Sequence, residues 1–288
     1  MKRQLYILCD MEGASGISPA NKEAMYYGSA RWHNEGRRFI TSDLKAVCEA
    51  ANAFGVDQIV LNDSHNYGKR EPNVLMSDLP PNVRLVRRPH LPGKARRLVC
   101  EEPFGIVIVG QHAMYGGRFA PHTIRSPPIG EVTLNDLRVD EFGLELALFM
   151  GARLLAIVGE AAAVDEANAL CPSAVGVAVK SLAEDWFPPP NEMAPLIRER
   201  VLDALRRREE RQGLHLAPPF RFSLRPTPAY RFDPNRRFFV DRLARWILLN
   251  RSHGRLTEHE ATWTTQTIVG GLYALESSRG FLVKQSSA

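Results

Sequence analysis

Apolar runs of six or seven residues, each closed by a polar or acidic position, recur through the first 180 residues. The first is Gln4–Asp10 (QLYILCD), followed by Gln58–Asp63 (QIVLND) and Phe104–Gly110 (FGIVIVG). Arg153–Gly159 (RLLAIVG) and Ala174–Lys180 (AVGVAVK) repeat the pattern, and Val83–Arg88 (VRLVRR) is a weaker member. Their length and their β-branched and aromatic content predict strands. Because the runs are continuous rather than alternating, they read as strands covered on both faces.

Helical periodicity fills the intervals. From Glu35 to Phe54 an apolar stripe runs through Phe39, Leu44, Val47, Ala51 and Phe54, with Gly55 as the stop. A helix is predicted over Glu141–Gly151, and a shorter one closes over Ala167–Leu170. Glu131–Val139 (EVTLNDLRV) reads as a hairpin turning at Asn135-Asp136. Strands alternating with helices predict an α/β fold, a three-layer, mostly parallel sheet with helices on both faces.

The triple proline in Trp186–Glu192 (WFPPPNE) interrupts this rhythm. Beyond it come a long helix over Met193–Gln212, a proline-rich, strand-like piece over Pro218–Phe232, and helices near Asn235–Asn250 and Thr265–Glu276. Two domains are therefore expected: residues 1–185 as an α/β metal-binding catalytic domain, and 186–288 as a smaller α+β region that supplies oligomer contacts.

Composition adds constraints. A chain of 288 residues with 44% hydrophobic and 24% charged positions is ordinary for a globular protein. No apolar run approaches the roughly 18 to 20 residues that span a bilayer, so no membrane partner is expected. The opening MKRQLYILCD lacks the long apolar stretch of a signal peptide, and a cytoplasmic location is expected. Cys9, Cys48, Cys100 and Cys171 are scattered with no C-x-x-C pair, which argues for reduced core thiols and against a cysteine-based zinc site.

The net charge of +5 is concentrated: Leu196–Leu256 holds fifteen Arg, no Lys and six acids. A basic segment can hold nucleic acid. Here, however, the arginines sit among apolar residues at helix spacing, as in RRFFVDRLARWILLN. Solvated helix faces and subunit contacts are the preferred reading, and no nucleic acid is expected.

Candidate chemistry lies where the strands end. In open α/β sheets, ligands bind beyond the carboxyl ends of the strands. The first strand ends on Asp10, with Glu12 just after it (ILCDMEG); the second ends on Asp63, then Ser64 and His65; the third ends at Gly110, then Gln111 and His112. Each residue alone reads equally well as a cap or loop residue. Together they form a mixed nitrogen and oxygen donor set suited to zinc, with carboxylates enough for a second, bridged metal. Gly13–Gly16 lacks the spacing of a phosphate loop, and no G-x-S-x-G elbow is present. His253 and His259 read as surface residues, Glu101-Glu102 as solvated charge, and the Trp32-His33 segment as a candidate flap.

The motifs DMEG (Asp10–Gly13), NDSH (Asn62–His65), GQHAM (Gly110–Met114), PHT (Pro121–Thr123) and VDEFGL (Val139–Leu144) occur in the order and spacing of one family. As a set they resemble the DppA-type D-aminopeptidases, the M55 metallopeptidase family, over roughly residues 3–180. The resemblance implies a dinuclear zinc site, two Zn2+ per subunit, with Asp10 as the bridging ligand and Glu12, His65, His112 and Glu141 as the others. It places the family's active-site histidine on His122, able to donate a hydrogen bond or shuttle a proton. It also implies a homo-oligomer. Two positions depart from the family's usual residues: Glu145 where Asn is common, and Glu160-Ala161 where two aspartates are common.

The function expected is a zinc-dependent aminopeptidase or amidohydrolase. It would release an N-terminal residue, D-configured ones included, from a short peptide by metal-activated water. Manganese or cobalt would fit the same donors. One alternative keeps the metals and changes the bond to another amide, a lactam or a phosphoester. A non-enzyme alternative is a basic nucleic-acid-binding assembly protein with a structural metal site.

Overall fold

The computed structural model describes residues 3–68, 71–86, 103–117, 119, 122–124, 129–236 and 254–285. By contact the chain forms two compact units. Unit 1 comprises Met1–Ala113, Gly117–Ala120 and Phe149–Leu214; unit 2 comprises Met114–Gly116, Pro121–Leu148 and His215–Ala288.

Unit 1 is built on six parallel strands: β1 (Gln4–Cys9), β2 (Gln58–Asp63), β3 (Val83–Val86), β4 (Gly105–Gln111), β7 (Leu154–Glu160) and β8 (Val175–Lys180). Their order is β3-β2-β1-β4-β7-β8, with every neighbouring pair parallel. The whole of β4 and β7 is buried, as the unbroken apolar runs require. Each fully buried Ile, Leu or Val there is worth about 1.5–3 kcal/mol. The sheet's centre is thus the apolar anchor from which its polar ends are hung.

Three helices accompany this sheet: α1 (Arg37–Phe54), α3 (Ala161–Leu170) and α4 (Pro190–Arg206). Going from β1 to β2 the chain moves one way along the sheet, and from β7 to β8 the other. Right-handed crossovers therefore set α1 and α3 on opposite faces. Helix α1 follows one turn of π-helix at Trp32–Gly36 and ends on Gly55 in the left-handed region at φ 87°. Trp32 is fully buried and donates from Nε1 to Asn73 Oδ1 at 2.9 Å, so this part of the expected flap is a core anchor.

Strand order reverses between β1 and β4, which makes their carboxyl ends the switch point of the sheet. There the two chains come unusually close. Asp10 donates its N–H to Val109 O at 2.9 Å and Gly13 donates to Gly110 O at 2.8 Å. A Cβ on Gly110, whose φ is +74°, would lie 2.2 Å from Asp10 O. Only glycine meets both demands.

Unit 2 holds a five-stranded antiparallel sheet of order β11-β12-β9-β5-β6 and a two-stranded β10-β13 pair. Its strands are β5 (Ile129–Leu134), β6 (Leu137–Arg138), β9 (Phe220–Pro226), β10 (Tyr230–Phe232), β11 (Arg255–Leu256), β12 (Ala261–Thr265) and β13 (Leu282–Lys284). The expected hairpin turns at Asn135 and Asp136, at φ 48° and 68°, the two positive values a type I′ turn demands. Helices α2 (Glu141–Leu148) and α5 (Ile268–Arg279) complete the unit.

The expected division at 185/186 is not where the units part. Pro190 occupies the first turn of α4, a position that tolerates proline, and the buried stripe Met193, Ile197, Val201, Ala204 and Leu205 packs this helix against α1. The 129–138 hairpin instead joins the C-terminal segment through β5–β9 pairing. Strands β12 and β13 were not expected, and α5 begins three residues later than predicted. Most of the helix expected near Asn235–Asn250, together with His253, Glu101-Glu102 and Cys100, lies outside the described residues. Cys9, Cys48 and Cys171 are free and buried, as expected.

Gly110→Ala forces a Cβ against backbone at a positive φ. It should lower the unfolding free energy by about 2 kcal/mol or more in urea titration.

Candidate functional site

Strand register sets the site. Cys9 pairs with Asp63 on one side and with Val109 on the other, so the ends of β1, β2 and β4 are level. Glu12 lies two residues beyond Asp10, His65 two beyond Asp63, and His112 two beyond Gly110. Each chain has just left its strand when it delivers a polar side chain to this edge. Asp10, Glu12, His65 and His112 are nonetheless 4%, 8%, 6% and 0% exposed.

The four side chains meet. His65 Nδ1 lies 3.2 Å from Asp10 Oδ1 and 3.0 Å from Glu12 Oε2. His112 Nε2 lies 3.5 Å from Asp10 Oδ2. Ligand atoms of Asp10, Glu12 and His112 fall within 4.8 Å of one another, a spacing that a single cation can bridge.

The hydrogen bonds on the far side of each ring decide what these contacts are. His65 Nε2 is 2.8 Å from Met25 O, and His112 Nδ1 is 2.7 Å from Ala113 O. A carbonyl only accepts, so in each ring that nitrogen carries the proton. The side-chain amide nitrogen of Asn66 also lies 2.7 Å from His65 Nε2. In the neutral rings His65 Nδ1 and His112 Nε2 hold lone pairs that face carboxylate oxygens. Acceptor against acceptor in a buried site costs more than an unmade hydrogen bond, itself about 1–3 kcal/mol. A cation between them turns each such contact into two ligand bonds. The carbonyl-anchored imidazole is also the usual arrangement behind a metal ligand. The donor set therefore fits zinc: two imidazoles and two carboxylates with fixed tautomers. Asp10 points one oxygen at each histidine, which suits a carboxylate shared by two cations.

The electrostatics carry the same demand for positive charge. Burial opposes a charged Glu12, yet the charge and hydrogen bond of His65, with Asp10 and His112 beside it, hold its carboxyl well below the usual range. Burial also opposes a charged His65 ring, but Glu12 and Asp10 lift it well above the ordinary histidine value. Without a metal, a proton takes the cation's place on His65.

Within unit 2, His122 and Glu141 come together, with His122 Nε2 3.7 Å from Glu141 Oε1. Thr123 holds them there: its Oγ1 donates to Gly130 O at 2.7 Å, and its carbonyl accepts from Glu141 N at 3.1 Å. Asp140 caps α2 by accepting from Gly143 N at 3.0 Å. Glu141 is then the first residue of the helix, where the dipole favours a carboxylate. Glu145, one turn further along, is also buried.

Several supporting residues were not anticipated. Asp63 accepts from Asn73 N at 2.8 Å and from Asn73 Nδ2 at 2.7 Å, and the same amide donates to His65 O at 2.8 Å. This clamps the turn that carries His65. Glu160 ends β7 and accepts from Ala113 N at 3.4 Å; burial raises its carboxyl, against the pull of Lys180. Lys180 ends β8, and burial lowers its ammonium to about 7 despite nearby Glu160, Asp43 and Glu12. Asp43 is pushed up to about 6 by burial, partly offset by its bonds from Ser15. The strand-end rule, extended to β7 and β8, would have found Glu160 and Lys180. An acid inside the apolar stripe of α1, beside Leu44, would have found Asp43.

A doubly wound sheet whose switch point holds a carboxylate–imidazole cluster of this kind defines a metallo-hydrolase. The Peptidase M55 family model, described as D-aminopeptidase, matches residues 1–233, and the chain belongs to that family. A search of curated proteins returns no match. Among solved structures the chain is similar to the Zn-dependent D-aminopeptidase DppA from Bacillus subtilis, described as a self-compartmentalizing protease. The TM-score is 0.78 at 19% identity, over 96% of this chain and 97% of that one, which speaks for a shared fold.

Zinc uptake should release protons. The metal-free His65 ring, lifted above its ordinary value, is protonated at neutral pH, and only the neutral ring can ligate. Zinc affinity should therefore rise with pH up to that lifted value. Titration calorimetry at pH 7.5 in buffers of different ionisation enthalpy should show release of about one proton.

Proposed function

We propose that the chain is a zinc-dependent aminopeptidase that hydrolyses the amide bond next to a free amino terminus of a short peptide, D-configured residues included. Asp10, Glu12, His65, His112 and Glu141 are the ligands of two zinc ions per subunit, with Asp10 shared between them. The observation that carries the reading is the convergence of two buried imidazoles, each with one ring nitrogen anchored on a backbone carbonyl and the other turned to the carboxylates of Asp10 and Glu12. Membership of the D-aminopeptidase family supports the bond and the substrate class.

Zinc, when bound, supplies Lewis acidity and lowers the pKa of a coordinated water to about 7. The residues do the rest. Met25 O and Ala113 O fix the two rings so that each presents one chosen nitrogen. Asp63 and Asn73 hold the turn from which His65 projects. His122, 3.7 Å from Glu141, would hand a proton to the departing amine or hydrogen-bond the oxyanion that forms.

A cytoplasmic homo-oligomer completes the reading. The related DppA is described as self-compartmentalizing, which supports self-association. Among the described residues, no helix is long and apolar enough to cross a membrane. Among the described residues, several arginines of the basic segment are paired: Arg207 with Glu210, Arg221 with Asp136, Arg225 with Glu131 and Glu260, and Arg231 with Glu258. Paired charge of this kind offers nucleic acid little, so nucleic acid is not proposed as a partner.

Asp10→Ala and His112→Ala should each remove bound zinc, as read by elemental analysis, and reduce peptide hydrolysis at least about 1,000-fold, in the range where loss of an essential catalytic group falls. A panel of D-Ala peptides, L-peptides, lactams and p-nitrophenyl phosphate fixes the bond. Full activity in metal-stripped protein overturns the proposal, and turnover of the phosphate ester alone moves the site to phosphoester chemistry.

A further inference from the structure

The loop after β1 carries Asp10 and Glu12 and continues through Ile17 with no strand or helix to hold its shape. Buried side chains hold it instead. Asp43, on α1, accepts from Ser15 N at 2.8 Å and from Ser15 Oγ at 2.5 Å. Lys180, the last residue of β8, donates from Nζ to Glu12 O at 2.5 Å and to Ile17 O at 2.9 Å. The lysine is fully buried, and its Nζ stands 5.2 Å from the centre of the Phe119 ring.

An ammonium taken wholly out of water costs several kcal/mol that an apolar side chain of similar length would not. Packing alone gives no reason for lysine here. What lysine adds is a compact multiple donor that ties two carbonyls, five positions apart, to one point on the rigid sheet. One of those carbonyls belongs to Glu12 itself. Fixing its peptide fixes the direction in which its carboxylate leaves the backbone, and so the gap between Glu12 Oε2 and His65 Nδ1, 3.0 Å.

We propose that Lys180 is a positioning residue of the metal centre: by holding Glu12 O and Ile17 O it presets the Glu12 carboxylate for zinc. The inference rests on the metal reading above. Lys180 touches no substrate and no reacting atom. Its effect appears first in how tightly the metal is held, since loss of a group that orients a ligand typically costs about 10- to 100-fold in metal affinity.

The test uses metal-stripped wild type, Lys180→Met and Lys180→Gln in full-length protein. Zinc affinity is measured by competition with a chromogenic chelator, and thermal midpoints are taken without metal. Lys180→Met should bind zinc about 10- to 100-fold more weakly, and Lys180→Gln, which keeps an N–H pair for one carbonyl, should fall between it and wild type. If the methionine variant does not fold, the glutamine variant decides by the same comparison. A lowered midpoint with unchanged zinc affinity assigns Lys180 a purely structural role and overturns the inference alone. A wild-type protein that takes up no zinc overturns the metal reading and this inference with it.

Discussion

Two buried carboxylates gathered against two carbonyl-anchored imidazoles are the constraint on which the rest of this molecule turns. Without a metal, protonation of His65 alone offsets the negative charge gathered in a place water barely reaches. Burial of carboxylate charge is among the largest penalties a fold can carry. The chain tolerates it because the arrangement is held from outside: Met25 O and Ala113 O behind the rings, Asn73 behind the His65 turn, Lys180 and Asp43 behind the Glu12 loop. The instability sits at one point, and the scaffold that enforces it is spread over four strands and a helix.

That scaffold works because a parallel sheet with a switch point places several chain ends at one level. The register is exact enough that Asp10, Ser64 and Gly110 follow paired residues directly. One or two residues of extra chain bring Glu12, His65 and His112 back over the edge. Gly13 and Gly110 let the β1 loop cross the end of β4 at backbone contact, where a Cβ on Gly13 would lie 1.8 Å from Gln111 O. Close crossing is what turns three separate strand ends into one cluster.

Much of this was legible in the sequence. Continuous apolar runs predicted β1, β2, β4, β7 and β8 to within a residue or two, and the polar residues at or just beyond the ends of β1, β2 and β4 pointed to Asp10, Glu12, His65 and His112. Asn135-Asp136 marked its turn because a type I′ turn needs residues that accept positive φ. What stayed hidden depends on contacts between distant segments. The pairing of β5 with β9 spans some ninety positions and leaves no local period, so the hairpin was assigned to the wrong unit. The triple proline looked like a linker, since nothing local distinguishes a proline that ends an element from one that opens a helix. Lys180 and Asp43 stood at a strand end and in an apolar helix stripe, but their burial left no mark in the sequence. A charged residue at the end of an apolar run or on a helix reads as solvated until its burial is known.

The two departures from the family pattern acquire different weights in this light. Glu160 keeps a carboxylate at the end of β7 that accepts from Ala113 N, the N–H of the residue whose carbonyl anchors the His112 ring. Its longer side chain therefore serves the metal centre through a peptide bond, and the small Ala161 that follows simply opens α3. Glu145 lies one helical turn from Glu141, so the two carboxylates share a face of α2. A second carboxylate on that face, itself buried, makes the surroundings of Glu141 more negative than an asparagine would. More negative surroundings favour a cationic guest, whether metal or the ammonium of a free amino terminus, and disfavour a substrate that ends there in a carboxylate. The exchange at Glu145 thus bears on the charge around Glu141, while the exchange at Glu160 bears on the backbone that anchors the His112 ring.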